Sequence, residues 1–311
     1  EYSTKVINNG GLVAFITPLT WFTNHYYYKL RKFLIDFKLI KQAIMFDNQV
    51  FDSANVDTAI LILSRGNDND SFSWLKTKSS SIDRLAFVPR NFDSIKDENR
   101  YEINISENNS FHILRKKIEN KSTKLSLLRK ISLGMKLKEN DLFVKRQKDN
   151  FYYEPIIFGN EIGYFEPLKP THFFNYKESI IIGGTKKQAI HNHKPKIMIQ
   201  AIRNLSLERR IVATIDTEGY YFVGTVNALT PTSEGKLFDE YYMLGLINSK
   251  LLNYYFTNRF TTISLTAAFL GELPIKVKKP NEQRPLISLV EKILSMKKKN
   301  QDTINLEKDI D

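Results

Sequence analysis

Residues 10–18 read Gly10-Gly11-Leu12-Val13-Ala14-Phe15-Ile16-Thr17-Pro18. A glycine pair breaks what precedes it, five apolar residues follow without interruption, and Thr17-Pro18 ends them. The pattern predicts a short strand buried on both faces of a parallel sheet. Upstream, Glu1 to Asn9 reads as the tail of a helix entering the glycine turn, as though the chain began inside an α/β domain. Downstream, Tyr26, Leu30, Phe33 and Leu34 recur at helical spacing and predict a helix over 24–37. Leu39 to Phe46 predicts a second strand, a loop carries Val50-Phe51, and Thr58 to Leu63 predicts a third strand. Strand, helix, strand, loop, strand is the closing part of a doubly wound sheet. Three strands without the rest of such a sheet leave an exposed edge that calls for association or a partner chain.

From Ser64 to about Asn109 the composition turns polar, with Gly66-Asn67-Asp68-Asn69-Asp70 and Ser79-Ser80-Ser81 as turn or linker signals. The expected organisation is 1–75 for the α/β sheet, 76–110 for a linker, 111–278 for a second, mixed α/β domain, and 279–311 for a C-terminal amphipathic helix and tail. Within the second domain, strands are predicted around Lys196 to Ala201, Ile211 to Asp216 and Tyr220 to Val223, with a helix over Glu240 to Thr257. Leu286, Leu289, Val290, Ile293 and Leu294 form one stripe of a helix over Pro285 to Lys299, the pattern of a packing face.

The 311 residues, 42% of them hydrophobic, suffice for at least one sizeable core, and two units fit the length. Forty-six Lys and Arg against 34 Asp and Glu give a formal net charge of +12, which suits a polyanionic partner and equally describes an ordinary basic protein. Residues 111–150 concentrate twelve Lys/Arg against four Asp/Glu, either a solvated helical face or a surface turned to phosphates. The chain has no cysteine, which excludes disulfides and thiolate metal sites. No apolar run approaches the roughly 20 residues of a membrane span, and no basic segment precedes an apolar signal region; a cytoplasmic protein without membrane contact is expected.

Three stretches in order carry a resemblance: Gly10 to Trp21; Leu30-Arg31-Lys32-Phe33-Leu34; and Val50-Phe51-Asp52-Ser53-Ala54-Asn55-Val56-Asp57-Thr58. Together they resemble the half of TaqI- and Eco57I-type DNA adenine-N6 methyltransferases that follows the catalytic motif. Further along, Ile156-Ile157, Gly159, Lys194-Pro195-Lys196-Ile197, Asp216 to Tyr221, Leu246 to Leu252 and Leu273-Pro274-Ile275 look like the specificity domain of those enzymes. The resemblance covers about 8–278. It implies an α/β chain: the C-terminal part of a doubly wound class I methyltransferase sheet, followed by a mixed α/β DNA target-recognition domain. It also implies a restriction-modification setting, double-stranded DNA as partner, and S-adenosylmethionine as cofactor of the complete enzyme.

Methylating an adenine amino group requires flipping the base out of the duplex, and a flipped base needs a flat apolar face to replace its lost stacking. In the family the aromatic residue of the Val-Phe loop supplies that face, and Phe51 matches it without a gap. Read by itself, Phe51 is better taken as a loop anchor against the core; the family context is what reverses that reading. The family's Asn/Asp-Pro-Pro-Tyr/Phe motif and the glycine-rich loop for the methyl donor are both missing from the sequence, so this chain alone is expected neither to bind S-adenosylmethionine nor to catalyse. The missing methyltransferase portion is then a partner, with a nuclease domain as a further attachment. An alternative is a stand-alone specificity subunit docking on a separate modification subunit; Leu12 to Ile16 and Thr58 to Leu63 are strands that such a subunit would not need. A degenerate protein with neither activity is a third, weaker reading.

Arg203, Arg209 and Arg210 lie between two predicted strands, in a segment that in similar proteins approaches the DNA, and are candidates for phosphate or guanine contact. Surface arginines on a polar loop would look the same. Gly183-Gly184 before Thr185-Lys186-Lys187 lacks the spaced glycines of a nucleotide loop and reads as a turn. His191 and His193 lack further assignable ligands, so no metal is expected and an exposed loop is the simpler reading. Ser249 is not in a nucleophile elbow, the pairs Asp97-Glu98 and Asp239-Glu240 point to different faces, and the run Asn248 to Leu252 is expected to be structural.

Overall fold

A computed structural model describes residues 4, 7–46, 50, 51, 58–66, 68–77, 87–96, 101–103, 109–138, 143–204, 207–260 and 262–311. Most of the expected helix tail before Asn9, together with Asn67, Ser79 to Ser81, Asp97-Glu98 and Asp52 to Asp57 of the Val-Phe loop, lies outside the described residues. The chain divides into two compact units, 1–107 with 259–261, and 108–258 with 262–311.

The first unit holds β1 (Leu12–Pro18), α1 (Tyr28–Asp36), β2 (Ile40–Phe46), β3 (Thr58–Ser64), β4 (Ser71–Thr77), β5 (Val88–Asn91) and α2 (Phe92–Lys96). Its sheet runs β1-β3-β2-β4-β5, with β3 antiparallel to both neighbours, β2 parallel to β4, and β5 antiparallel to β4. β1 and β2 therefore point the same way with the reversed β3 between them. Trp21, Phe22, Leu34, Ile35, Ile40 and Leu61 belong to one core. Arg31 is fully buried at its rim, donating to the carbonyls of Trp21 and Asn24 at 2.7 Å and of Tyr101 at 3.0 Å.

The strand expected at Leu12 to Ile16 forms as β1 and pairs with antiparallel β3; among the described residues no strand lies on its other side, the exposed edge that the sequence leads one to expect. Leu12 is 55% and Ile16 50% exposed. Beside β1 an apolar cavity of about 350 Å³ is lined by Phe15, Thr17, Trp21, Tyr27, Leu30 and Leu61. A correction concerns the expected linker at 76–110: β4 ends inside it, and β5 and α2 lie within it, because Phe92 and Ile95 bury their side chains against Phe72 and the sheet.

In chain order the second unit contains α3 (Asn109–Glu119), β6 (Ser122–Lys124), α4 (Leu125–Leu128), β7 (Arg129–Leu133), β8 (Lys136–Leu137), β9 (Val144–Lys145), β10 (Glu154–Ile157), β11 (His172–Phe174) and β12 (Ile181–Gly183). It continues with α5 (Gln188–His191), β13 (Lys196–Gln200), β14 (Ala213–Asp216), β15 (Tyr221–Phe222) and β16 (Val226–Pro231). After these come α6 (Glu240–Asn248), α7 (Lys250–Arg259), α8 (Ala267–Gly271), β17 (Pro274–Lys276), α9 (Pro280–Lys298) and α10 (Ile304–Lys308). One sheet, β14-β13-β16-β7, is antiparallel throughout; another runs β15-β10-β11-β9; β12-β8 and β17-β6 are two-stranded ribbons.

The single helix expected over Glu240 to Thr257 breaks at Ser249 into α6 and α7. The break lets two buried asparagines face the sheet edge. Asn248 Oδ1 accepts from Ala213 N at 3.0 Å while its Nδ2 donates to Ala213 O at 2.9 Å, and Asn253 Oδ1 accepts from Ile211 N at 2.8 Å. β14 is the edge strand, so these amides satisfy backbone groups that would otherwise be buried unpaired. The run Asn248 to Leu252 is thus structural, as its sequence suggested. α9 begins at Pro280, earlier than the expected Pro285, and buries Ile287, Val290 and Ile293. It crosses α6 at Gly245, where a Cβ would stand 3.0 Å from Leu286 and Val290 side-chain carbons. No helix among the described residues is long and apolar enough to cross a membrane.

Replacing Asn248 with leucine keeps the volume and strips both hydrogen bonds from Ala213. The expected cost is about 1–3 kcal/mol for each buried group left unpaired, read as a lowered urea midpoint at unchanged slope.

Candidate nucleic-acid interface

Phe51 follows β2 in the chain and is 42% exposed.

The three candidate arginines meet different fates. Arg210 is fully buried; its guanidinium donates to Thr262 O and lies 5.8 Å from the centroid of the Phe256 ring. A side chain enclosed this way cannot reach a phosphate, so the expected DNA contact at Arg210 is corrected to a core role. Arg209 is half-buried, stacked 4.1 Å over the Tyr164 ring, donating to Asn248 O at 3.0 Å and lying 3.5 Å from the Asp311 carboxylate. Arg203 donates to Arg209 O at 2.9 Å and to Gln200 Oε1 at 2.8 Å, and partial burial lowers its pKa. Arg203 and Arg209 are joined through one backbone carbonyl, while Arg210 faces inward. Consecutive residues in a short connection point to opposite sides, which a count of arginines cannot reveal.

The histidine reading also needs revision. His191 is not in an exposed loop but fully buried, its ring 4.5 Å from Phe222 and 5.1 Å from Tyr221, with Nε2 donating to Thr185 O at 3.1 Å. Burial pushes its pKa down to about 4, nearby Lys196 adding to the effect. Lys196, also fully buried, donates to His191 O at 2.5 Å and pairs with Asp216. Asp216 in turn accepts from the amides of Glu218, Gly219 and Tyr220, so one buried ion pair fixes both the 191–196 connection and the 216–220 turn. Among the described residues no three His, Cys, Asp or Glu side chains gather as a metal site. Gly184, with φ +71°, forms a turn packed so tightly on the Gly134 carbonyl that a Cβ would collide with it, consistent with the turn reading and leaving no cradle.

The basic run at 111–150, which reads as either a solvated helical face or a surface turned to phosphates, holds cations that stand in the open. Lys145, Arg146 and Lys148 are exposed and lead directly into Phe151-Tyr152-Tyr153. Basic residues running into a cluster of aromatics were the available signal.

Residues 154–275 match the TaqI-like C-terminal specificity domain, and residues 1–51 match the Eco57I restriction-modification methylase. Residues 154–275 are thus similar to a TaqI-like specificity domain, and residues 1–51 to an Eco57I-type restriction-modification methylase. At 26% identity it is similar, over its whole length, to a Methanocaldococcus jannaschii protein assigned as a type II restriction enzyme and methyltransferase. It spans 27% of that relative's length. By fold, 96% of the chain resembles 46% of the type IIL restriction-modification enzyme MmeI, solved in complex with DNA, at a TM-score of 0.60 and 12% identity. The DrdV–DNA complex is similar over 95% of this chain and 38% of that one, with a TM-score of 0.56 and 9% identity.

Two outcomes follow. Arg210→Ala should lower stability by about 1–3 kcal/mol, measured by urea unfolding, as expected of a core group. His191 stays neutral when folded, whereas the unfolded chain takes up a proton as pH falls below 6.5. Its contribution is thus present above pH 6.5 and lost progressively toward pH 4. Glu240, pushed up by burial to about 7 from 4.5 despite Arg129 nearby, acts oppositely, since the folded state holds its proton and stability falls as pH rises across that interval. Comparing wild type with His191→Gln isolates the histidine: the stability difference should shrink as pH drops from 6.5 to 4.

Proposed function

We propose that this chain recognises a specific sequence in double-stranded DNA and positions the target adenine for N6-methylation by an S-adenosylmethionine-dependent restriction-modification methyltransferase. The observation that carries the reading is the order of the two matches, a methylase segment ending on Phe51 followed by a specificity domain. In this reading β1, β2 and β3 with α1 are the closing part of a doubly wound methyltransferase sheet, and further methyltransferase strands or a modification subunit cover the apolar edge of β1. S-adenosylmethionine supplies the methyl group when bound to the complete enzyme. Neither the Asn/Asp-Pro-Pro-Tyr/Phe motif nor a glycine-rich donor loop occurs in these 311 residues, so the donor is held and the amino group activated by residues outside them.

Within the chain, Phe51 offers its exposed ring to the extruded adenine, offsetting the stacking lost when the base leaves the duplex. Arg203 and Arg209, the two candidates not wholly enclosed, are retained for DNA contact. The specificity domain reads base edges while cations on its surface fix the register on the backbone.

The test begins with the isolated chain, titrated with a random-sequence duplex pool across a salt series, with the retained DNA sequenced. One short adenine-containing motif should be enriched. Combined with a methyltransferase portion bearing the donor and catalytic motifs, the chain should restore N6-methyladenine at that motif. Phe51→Ala should lower transfer about 5- to 150-fold, the equivalent of 1–3 kcal/mol of stacking. Undiminished transfer by Phe51→Ala would assign the stacking role elsewhere, and loss of all DNA retention at low salt would end the recognition reading.

A further inference from the structure

β8, β9, β11 and β12 close over a small core that includes Met135, Leu137, Phe174 and Ile181. Around it stand several exposed cations. The β9–β10 connection is a tight turn in which the Asp149 carboxylate accepts from Phe151 N at 2.7 Å and from Tyr152 N, while Asp149 N donates to Tyr152 O at 3.0 Å. The one carboxylate of the turn is thereby occupied with its own backbone. Lys145, Arg146 and Lys148 project around it, all exposed. Lys177 caps the half-open Phe151 ring at 5.0 Å from its centroid, and Lys145 lies 5.9 Å from that of Tyr152. The neighbouring Tyr176 hydroxyl donates to Lys186 O at 2.7 Å, which sets the backbone of exposed Lys186 beside Tyr176.

Among the described residues none of these five cations has a carboxylate within ion-pair distance, although exposed Glu178 adjoins Lys177 in sequence. Elsewhere on the chain exposed lysines do find partners, as in Lys32–Asp36 and Lys278–Glu282. Like charges gathered on one ordered face repel one another, and an array of fixed negative charges relieves that repulsion while releasing its own counterions. The aromatic rings add a second element, since a cation held over a ring has fewer conformations to lose on binding.

We propose that this face, the turn 146–153 flanked by Lys145, Lys177 and Lys186, is the phosphate-gripping element of the specificity domain and seats it on the DNA backbone. The inference rests on the DNA-recognition reading and replaces the buried Arg210 as the source of backbone contact.

The test uses the full chain and a fluorescein-labelled random-sequence duplex, with affinity measured by anisotropy over a salt series. The triple variant Arg146→Gln, Lys148→Gln, Lys177→Gln is compared with Lys292→Gln, Lys298→Gln, Lys299→Gln, which removes the same charge from exposed positions of α9 and its C-terminal cap. Each phosphate contact adds about 0.9 to the slope of log affinity against log salt, so the first variant should reduce that slope by about 2 to 3 and the second by less than 1. Equal effects of the two variants, or none from the first, would overturn the proposal while leaving DNA recognition intact. No binding by the parent chain at low salt would remove the recognition reading and the proposal with it. Should the triple variant not fold, Lys148→Gln alone, at an exposed turn, should reduce the slope by about 1.

Discussion

A sheet that ends beneath a helix must still find partners for the amides and carbonyls of its last strand, and this requirement organises the second unit. β14 is that strand; Asn248 takes both backbone groups of Ala213 at its start, and Asn253 takes the amide of Ile211 just before it. To deliver both amides the helix has to break at Ser249, whose hydroxyl donates to Leu246 O at 2.8 Å. The broken helix pair then fixes where α9 packs and where Arg209 finds the carbonyl of Asn248. A buried amide left without a partner costs more than a typical hydrogen bond gains, so satisfying this one edge constrains a large part of the chain.

Position in the chain proved a better guide to the fold than composition. The strand at Ile40, the strand at Thr58 and the helix at Tyr28 were legible because their apolar spacing is local and strong. β4, β5 and α2 escaped notice because their surroundings are polar and only a few side chains, Phe72, Phe92 and Ile95 among them, tie them to the core. The coverage of β1 was unreadable for a different reason. Whether an apolar strand is central or at an edge depends on pairing with residues distant in sequence, which periodicity does not record.

The candidate interface was legible in its chemistry and not in its geometry. A surplus of cations, the basic run at 111–150 and the arginine cluster at 203–210 pointed to phosphate, yet the structure sorts those cations by burial. Arg129, Lys196 and Arg210 are enclosed and hold carbonyls or a carboxylate inside the unit, whereas Lys145, Arg146 and Lys148 face water. The guanidinium and ammonium groups are the same in each set; the difference lies in whether the backbone around them presents orphaned oxygen atoms. Phe51 is the converse case, a residue whose role was suggested by its motif and whose half-open ring keeps that role sterically available.

The exposed edge of β1 bears on how the protein behaves as a colloid. Leu12, Phe15 and Ile16 offer an apolar strand that, among the described residues, has no strand on one side, the template along which identical chains stack. Opposing that is the net positive charge, whose reach in physiological salt is about 8 Å, close to the width of two strands. Repulsion therefore acts only at near contact, and concentrated salt, by shortening it further, favours edge-to-edge assembly wherever that edge is left uncovered.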